Sequence, residues 1–264
     1  MTEAELLFTE ILQCERLELY LYKNRRIDKV KALLIQSALK RRISGEPPQY
    51  ILGKTEFMGL EFKVTPDVLI PRPETEILVE TVLKHCQGLE NTGLDILEIG
   101  TGSGCVAVSL AEFLPNAKIT ATDISDKALV IAKENARLHN AGIVFLQGDL
   151  FANHDLQIAN YDIIVSNPPY VAGADIDSLQ PEIKYEPRIA LDGGRDGLDF
   201  YRRIIQEAPL YLKEKGQLYL EMGFGQRGRI EENFRDSQKF EVMEIFKDYN
   251  GIERVIISKK VKYG

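Results

Sequence analysis

Leu94-Asp95-Ile96-Leu97-Glu98-Ile99-Gly100-Thr101-Gly102-Ser103-Gly104 decides the fold. An apolar run of strand length leads directly into glycines at three alternate positions, and a helix is expected to start at Cys105. Glycine lets the backbone turn sharply and approach a ligand closely, while N–H groups of the following helix point into the same space. Strand, glycine turn and helix together are the opening unit of a doubly wound α/β sheet. Gly100-x-Gly102-x-Gly104 differs by one residue from the dinucleotide fingerprint GxGxxG. Glu98 ahead of the loop, and the missing third spaced glycine, favour a nucleoside without a pyrophosphate.

Outward from this unit, strands are predicted at 94–99, 118–122, 143–146, 161–166, 217–221, 241–246 and 253–258, with helical stretches between most of them. Only 247–252 separates the last two, too little for a helical crossover, so they should form an antiparallel hairpin at the sheet end. Ligands of such sheets lie beyond the carboxyl ends of the strands, where the strand order reverses. Asp123 closes the second strand, the place where an acid accepts ribose hydroxyl hydrogens. Asp149 follows the third and can accept from an adenine amino group or a backbone donor, while Leu150 and Phe151 can sandwich the ring. For either acid the plainer alternative is a helix cap. The four elements in this order point to S-adenosyl-L-methionine. Cys105 is expected to pack rather than react, since no base neighbours it in sequence.

Asn167-Pro168-Pro169-Tyr170 ends the fourth strand. Proline has a fixed φ and no N–H, so the strand cannot simply continue, and the carbonyls of Asn167 and Pro168 can be left without ladder partners. A planar NH2 group could present its two hydrogens to the Asn167 side-chain oxygen and the Pro168 carbonyl, with Tyr170 over one face. A strand-ending turn is the alternative. The stretch 171–198 is long for a connection and holds Pro181, Pro187, Gly193, Gly194 and Gly197; it is a candidate lid over a substrate.

The 264 residues suffice for one α/β core with a small appendage, and 44% hydrophobic with 28% charged residues is ordinary for a globular protein. A net charge of −7 disfavours extended nucleic acid as a partner. Three cysteines without a CxxC pair, and three histidines without ligand spacing, suggest a reducing compartment and no structural metal. The acidic N-terminus is unlike a signal peptide, and no apolar run approaches the roughly 18 residues of a membrane span. A cytoplasmic location is expected.

Ahead of the sheet, Leu6, Ile11, Leu17 and Leu21, then Val30, Leu33, Leu34 and Ala38, recur at helical steps and define a small helical domain, 1–54. Arg25-Arg26 and Lys40-Arg41-Arg42 lie on it, as solvated helix surface or as a contact for an acidic partner or RNA. Leu60, Phe62 and Val64 switch the period to two; with the Thr65-Pro66-Asp67 turn and Val68-Leu69-Ile70 they predict a β-hairpin joint within 55–72. Pro73 at a helix start, with carboxylates in the first turn, opens the main domain, 73–264.

These residues resemble the HemK/PrmC release factor glutamine methyltransferases along nearly the whole chain. The resemblance includes Arg41-Arg42, Gly45-Glu46-Pro47, Tyr50-Ile51, Gly53, Glu56-Phe57, Gly59-Leu60, Phe62 and Leu69-Ile70-Pro71-Arg72-Pro73-Glu74-Thr75-Glu76. It continues through both loops to Tyr185-Glu186-Pro187, Ala190-Leu191, Gly193-Gly194 and Asp196-Gly197-Leu198. It implies the class I S-adenosylmethionine-dependent methyltransferase fold, a seven-stranded Rossmann-like sheet, behind an N-terminal helical domain. It also implies methyl transfer to the side-chain nitrogen of the glutamine in the Gly-Gly-Gln loop of class I peptide chain release factors, in support of translation termination. Gly100, Thr101, Gly102, Ser103, Gly104, Asp123, Leu150 and Asn167 would surround the cofactor, joined on the reading above by Glu98 and Asp149. Asn167, Pro168, Pro169 and Tyr170 would hold the glutamine amide, with Asn167, Pro168 and Tyr170 acting in catalysis. Family members usually carry further helices ahead of the segment matched by Ala4-Glu5-Leu6-Leu7, so a shortened N-terminus is expected. Two rival functions use the same residues: an N6-adenine methyltransferase on DNA or RNA, which should carry a basic groove, and a non-catalytic release-factor or ribosome-binding module.

Overall fold

The structure, a computed structural model, describes residues 2–21, 26–88, 93–156, 158 and 160–261. Its centre is a seven-stranded sheet in the order β5-β4-β3-β6-β7-β9-β8. In chain order the strands are β3 (Asp95–Ile99), β4 (Lys118–Asp123), β5 (Ile143–Gln147), β6 (Tyr161–Ser166), β7 (Leu212–Glu221), β8 (Phe240–Lys247) and β9 (Glu253–Lys260). The first five are parallel, and β9 runs antiparallel between β7 and β8. The expected terminal hairpin is therefore present, inserted so that its second strand joins the sheet first. Strand order reverses between β3 and β6, and Ile99 pairs with Ser166 there. The glycine loop and Asn167 thus emerge side by side from neighbouring strand ends.

Alternation along each strand feeds two apolar cores. Ile96, Ile119, Val165 and Tyr219 face α5 (Pro73–His85) and α6 (Cys105–Phe113); Leu97, Ile99, Ile164 and Leu220 face α8 (Asp199–Tyr211) and α9 (Arg227–Ser237). A sheet covered by helices on both sides needs near-continuous apolar strands, and β3 and β6 have them. Both cores hold side chains with no solvent exposure, so the strand ends that carry the loops rest on a rigid base.

The N-terminal module comprises α1 (Glu3–Leu12), α2 (Arg16–Leu21), α3 (Lys29–Ile43) and α4 (Pro48–Leu52). Thr2 and Glu5 form a capping box on α1, and Asp28 caps α3. A two-stranded hairpin follows, β1 (Lys54–Phe57) against β2 (Leu60–Lys63). Here the structure corrects the sequence reading: the strand with Leu60 and Phe62 pairs backwards to 54–57, and Val68-Leu69-Ile70 is no strand. Met58 and Gly59 both take positive φ, the geometry of a tight two-residue hairpin turn. Val68 and Ile70 instead bury against Ala128 and Ile131 of α7 (Asp126–Leu138), together with Tyr50, whose hydroxyl donates to the Val68 carbonyl at 2.6 Å. The Asn135 side chain of α7 exchanges two hydrogen bonds with the Lys63 backbone, at 2.8 and 2.9 Å, and so pins the hairpin to the main domain.

Of the basic residues in this module, Arg41 forms a two-pronged pair with Glu46 and donates to the Tyr50 and Ile51 carbonyls. Arg42 pairs with Glu3 and with Glu182. Both cations are engaged within the fold; Arg25 lies outside the described residues. No helix among the described residues is long and apolar enough to cross a membrane.

Candidate active site

Two cavities open beyond the carboxyl ends of β3, β4 and β6, and Asn167 and Pro168 line both. The smaller, about 250 Å³, is bounded by Gly100, Thr101, Gly102, Ser103, Asp123, Asp149 and Leu150. The larger, about 640 Å³, runs from Tyr170 and Arg72 to the helical module at Glu3, Leu6, Pro47 and Gln49.

The glycine loop is locked through its own backbone N–H groups, mostly onto the end of β4. Gly100 and Thr101 N–H groups both donate to the Thr122 carbonyl, at 2.8 and 2.9 Å, and Gly104 N–H donates to Thr101. Most of the loop's donors therefore turn inward rather than toward a ligand. What the loop presents is close approach: at Gly100 and Gly102, both at positive φ, an added Cβ would meet nothing within 4 Å. Gly104 departs from the sequence expectation, since it does not line the cavity. At φ +82 it starts α6, and a Cβ there would lie 3.1 Å from Ala132, so its place is helix packing.

Asp123 accepts Gly102 N–H at 2.8 Å through Oδ2 and Ser125 N–H at 2.9 Å through Oδ1. Burial raises its pKa, against the pull of these donors. Glu98 is buried beneath the loop and accepts from the Thr101 hydroxyl at 2.5 Å and the Ala107 N–H at 3.2 Å; burial pushes its pKa up to about 8. Asp149 pairs with Arg203 at 2.9 Å, which leaves Oδ1 as an acceptor. Phe151 does not sandwich the cavity: it is buried and stacks on Tyr211, 4.6 Å between centroids. Ile124, Ile189, Phe200 and Arg203 supply the walls instead. Sequence reasoning missed them because Phe200 and Arg203 sit on α8, whose apolar spacing signals only core packing. Burial pushes the Cys105 thiol up to about 12, so it is an unreactive lining residue.

Asn167 donates through Nδ2 to the Thr75 hydroxyl at 3.0 Å, which leaves Oδ1 as its acceptor. Tyr170 lines only the larger cavity and Pro169 only the smaller, so the four residues divide between the two sides. Gln226 holds this rim from behind: its Nε2 donates to the Tyr170 carbonyl at 2.8 Å, and its Oε1 accepts Gly223 N–H at 3.0 Å. Burial pushes the Tyr170 phenol up to about 12, so it stays neutral and is no base at neutral pH.

Residues 171–198 roof both cavities. Their ends are tied together by Val171 N–H to Leu191 at 2.9 Å and Gly193 N–H to Val171 at 2.8 Å, and three 3₁₀ turns lie between: Ile176–Ser178, Pro181–Tyr185 and Arg188–Ala190. Ile183 and Glu186 line the larger cavity, Pro187 and Ile189 the smaller. Arg72 pairs with Glu186, and the Tyr185 hydroxyl donates to the Ser44 carbonyl at 2.8 Å.

Known proteins resemble the chain along nearly its whole length. Residues 1–53 match the family model of the PrmC N-terminal domain, and residues 73–184 that of the methyltransferase small domain. A release factor glutamine methyltransferase from Thermodesulfovibrio yellowstonii is 44% identical over 98% of this chain and 92% of its own length. One from Geobacter sulfurreducens is 42% identical over 96% of this chain and 87% of its own. Among solved structures, a methyltransferase from Pyrococcus furiosus superposes with a TM-score of 0.57 at 21% identity, over 85% of this chain and 97% of its own; this likeness speaks for the fold. With such identity over nearly its whole length, the chain belongs to the release factor glutamine methyltransferase family.

Proposed function

We propose that this protein-(glutamine-N5) methyltransferase uses S-adenosyl-L-methionine to methylate the glutamine side-chain amide in the Gly-Gly-Gln loop of a class I peptide chain release factor. The observation that carries the reading is that Asn167 and Pro168 form the shared rim of two cavities, one shaped for a nucleoside and one wide enough for a polypeptide loop. The residues of the smaller cavity fit the cofactor: open space over Gly100 and Gly102, the Asp123 carboxylate for ribose hydroxyls, and Asp149 Oδ1 with Leu150 for the base. When bound there, the cofactor supplies an electrophilic sulfonium methyl group.

On the other side of the rim, Asn167 Oδ1 and the Pro168 carbonyl accept the two hydrogens of the substrate NH2 group. This draws electron density onto the nitrogen and weakens its conjugation with the glutamine carbonyl. Held at this rim, the nitrogen would be aligned with the methyl group that the cofactor would supply from across it, with S-adenosyl-L-homocysteine as the by-product. The nitrogen then loses one proton to water. No residue of the rim is a base of suitable strength, so placement and electrostatics carry the rate, and alignment alone can supply several kcal/mol. Engagement of Arg41 and Arg42 in internal ion pairs supports a protein substrate over extended nucleic acid. The same reading implies work in the cytoplasm, where release factors act.

The test is incubation with S-adenosyl-L-methionine and an unmodified class I release factor, followed by tandem mass spectrometry of the Gly-Gly-Gln peptide. A methyl group on the glutamine amide is expected; an unmodified peptide with cofactor bound would overturn the substrate assignment.

A further inference from the structure

We infer that Arg254, at the start of β9, is a substrate-binding residue whose guanidinium donates to a main-chain carbonyl oxygen of the loop that carries the target glutamine. The inference rests on the reading that the larger cavity receives this loop. Arg254 lines that cavity together with Asn167, Pro168 and Tyr170, and it does not line the smaller one. Strand register brings it there. Ser166 pairs with Leu220 and Glu221 with Val255, so Asn167 and Arg254 lie on either side of the end of β7. The Met222 N–H fixes the backbone at this point by donating to the Arg254 carbonyl at 2.7 Å.

The side chain is held at one end and has donors to spare at the other. Nε donates to Asp248 Oδ2 at 2.8 Å, while Asp248 Oδ1 accepts the N–H groups of Asn250 and Ile252 at 2.9 and 3.0 Å. Asp248 thereby ties the guanidinium to the turn between β8 and β9, and the pair is largely enclosed, with 14% of the Arg254 and 5% of the Asp248 side chain exposed. A guanidinium carries five N–H donors, of which this bond uses one. Glu74 Oε1 stands 3.8 Å from Nη2, too far for a hydrogen bond. Among the described residues no acceptor is hydrogen-bonded to either Nη group.

The chemistry of the cavity wall selects the acceptor. Glu3, Glu74, Glu182 and Glu186 line it against the cations Arg72 and Arg254, so an acidic side chain is repelled and a neutral oxygen is favoured. Glycine has no side chain, so a Gly-Gly segment ahead of the glutamine presents bare peptide carbonyls that need donors when they leave water. The side-chain carbonyl of the glutamine is the wrong target. A cationic donor there would strengthen conjugation in the amide and withdraw the electron pair that the nitrogen must offer. Arg254 therefore serves binding of the loop and not the chemical step.

The experiment measures steady-state kcat and KM with the release factor varied at saturating S-adenosyl-L-methionine, for the parent, Arg254→Gln, Arg254→Lys and Asp248→Asn. Thermal melting controls for folding, and calorimetry reads cofactor affinity. Arg254→Gln should raise KM for the release factor roughly tenfold, the range of one hydrogen bond to a charged group, with kcat and cofactor affinity preserved. Arg254→Lys should do nearly as much, since a single ammonium cannot serve Asp248 and the loop in the way a planar fork can. Asp248→Asn, which loosens the guanidinium from outside the cavity, should raise KM by a smaller factor. A folded Arg254→Gln protein with the parent KM would overturn the inference, and Arg254→Lys with the parent KM would do so if the glutamine variant does not fold. A change confined to kcat would also overturn it, since that would put the guanidinium on the glutamine carbonyl. These outcomes leave the assignment of the substrate standing; a release factor left unmodified by the parent would overturn that assignment and the inference with it.

Discussion

Asp123 holds Gly102 in place by accepting its N–H at 2.8 Å, across the gap between two neighbouring strand ends. The same carboxylate takes Ser125 N–H with its other oxygen, so one side chain shapes the glycine loop and the start of α7 together. The acid proposed to receive ribose hydroxyls is thus also a brace of the pocket that would contain them.

Asp123→Ala should therefore damage binding and structure at once. Two charge-assisted backbone bonds are lost, each contributing about 1.5–3 kcal/mol. Cofactor affinity by calorimetry should fall at least roughly tenfold, with a lower melting temperature in the cofactor-free protein. Asp123→Asn keeps one accepting oxygen and should fall between the two. An alanine variant that melts like the parent would show that the loop does not depend on this brace.

Gly197 and Gly225 provide a matched pair. Both adopt positive φ, +75 and +74, so alanine at either costs on the order of 1 kcal/mol in backbone strain. At Gly225 a Cβ meets nothing within 4 Å, whereas at Gly197 it would overlap the Tyr170 carbonyl oxygen and come within 2.9 Å of Gln226 Nε2. Gly197→Ala should displace the Asn167–Tyr170 rim and lower the single-turnover rate by more than roughly tenfold, because small misplacements at the reacting atoms are costly. Cofactor affinity should change little. Gly225→Ala should show only the modest stability loss, and equal rate defects in both would refute the clash.

The roof over the larger cavity is tied to the helical module by Arg42, which pairs with Glu3 and Glu182, and by Tyr185 bonded to Ser44. These are partly exposed contacts worth at most about 1 kcal/mol each. Arg42→Ala should leave melting nearly unchanged but raise KM for the release factor several-fold, with kcat preserved. Steady-state kinetics with varied release factor would check this, and an effect confined to kcat would place Arg42 elsewhere in the cycle.

What could be read from the sequence was what backbone rules dictate. Glycines at alternate positions after a strand, prolines that stop another, and a connection too short for a helix each forced one local solution, and those elements stand where expected. The hairpin joint was misread because Lys54-Thr55-Glu56-Phe57 buries only Phe57 and carries little alternation, and because its turn places Met58 at positive φ, where no residue preference announces it. Gly104 was assigned to the ligand although its constraint comes from Ala132 on another helix. The walls at Ile124, Ile189 and Phe200, and the contact of Thr75 with Asn167 across 92 residues, depend on tertiary placement that no local pattern encodes.

Glu98 leads to a prediction about pH. Its carboxyl is raised from the ordinary 4.5 to about 8, chiefly by burial, with the Asp123 charge adding to the shift and the Thr101 and Ala107 donors opposing it. A carboxyl with a raised folded pKa binds its proton more tightly in the native state than in the unfolded chain. Its contribution to stability is therefore complete below about pH 4.5 and is lost as the pH rises through about 8. Glu98→Gln is nearly isosteric with the protonated form and retains an oxygen for Thr101 and Ala107. Melting of parent and variant should coincide near pH 5 and diverge above it, the variant being several degrees more stable near pH 8.5, where the parent must carry a buried charge. Taking the difference between the two proteins removes the contributions of groups that do not interact with Glu98, among them Glu221, whose pKa of about 7 falls in the same window. A difference that stays constant from pH 5 to 8.5 would mean that Glu98 is ionised throughout and that the loop above it tolerates the charge.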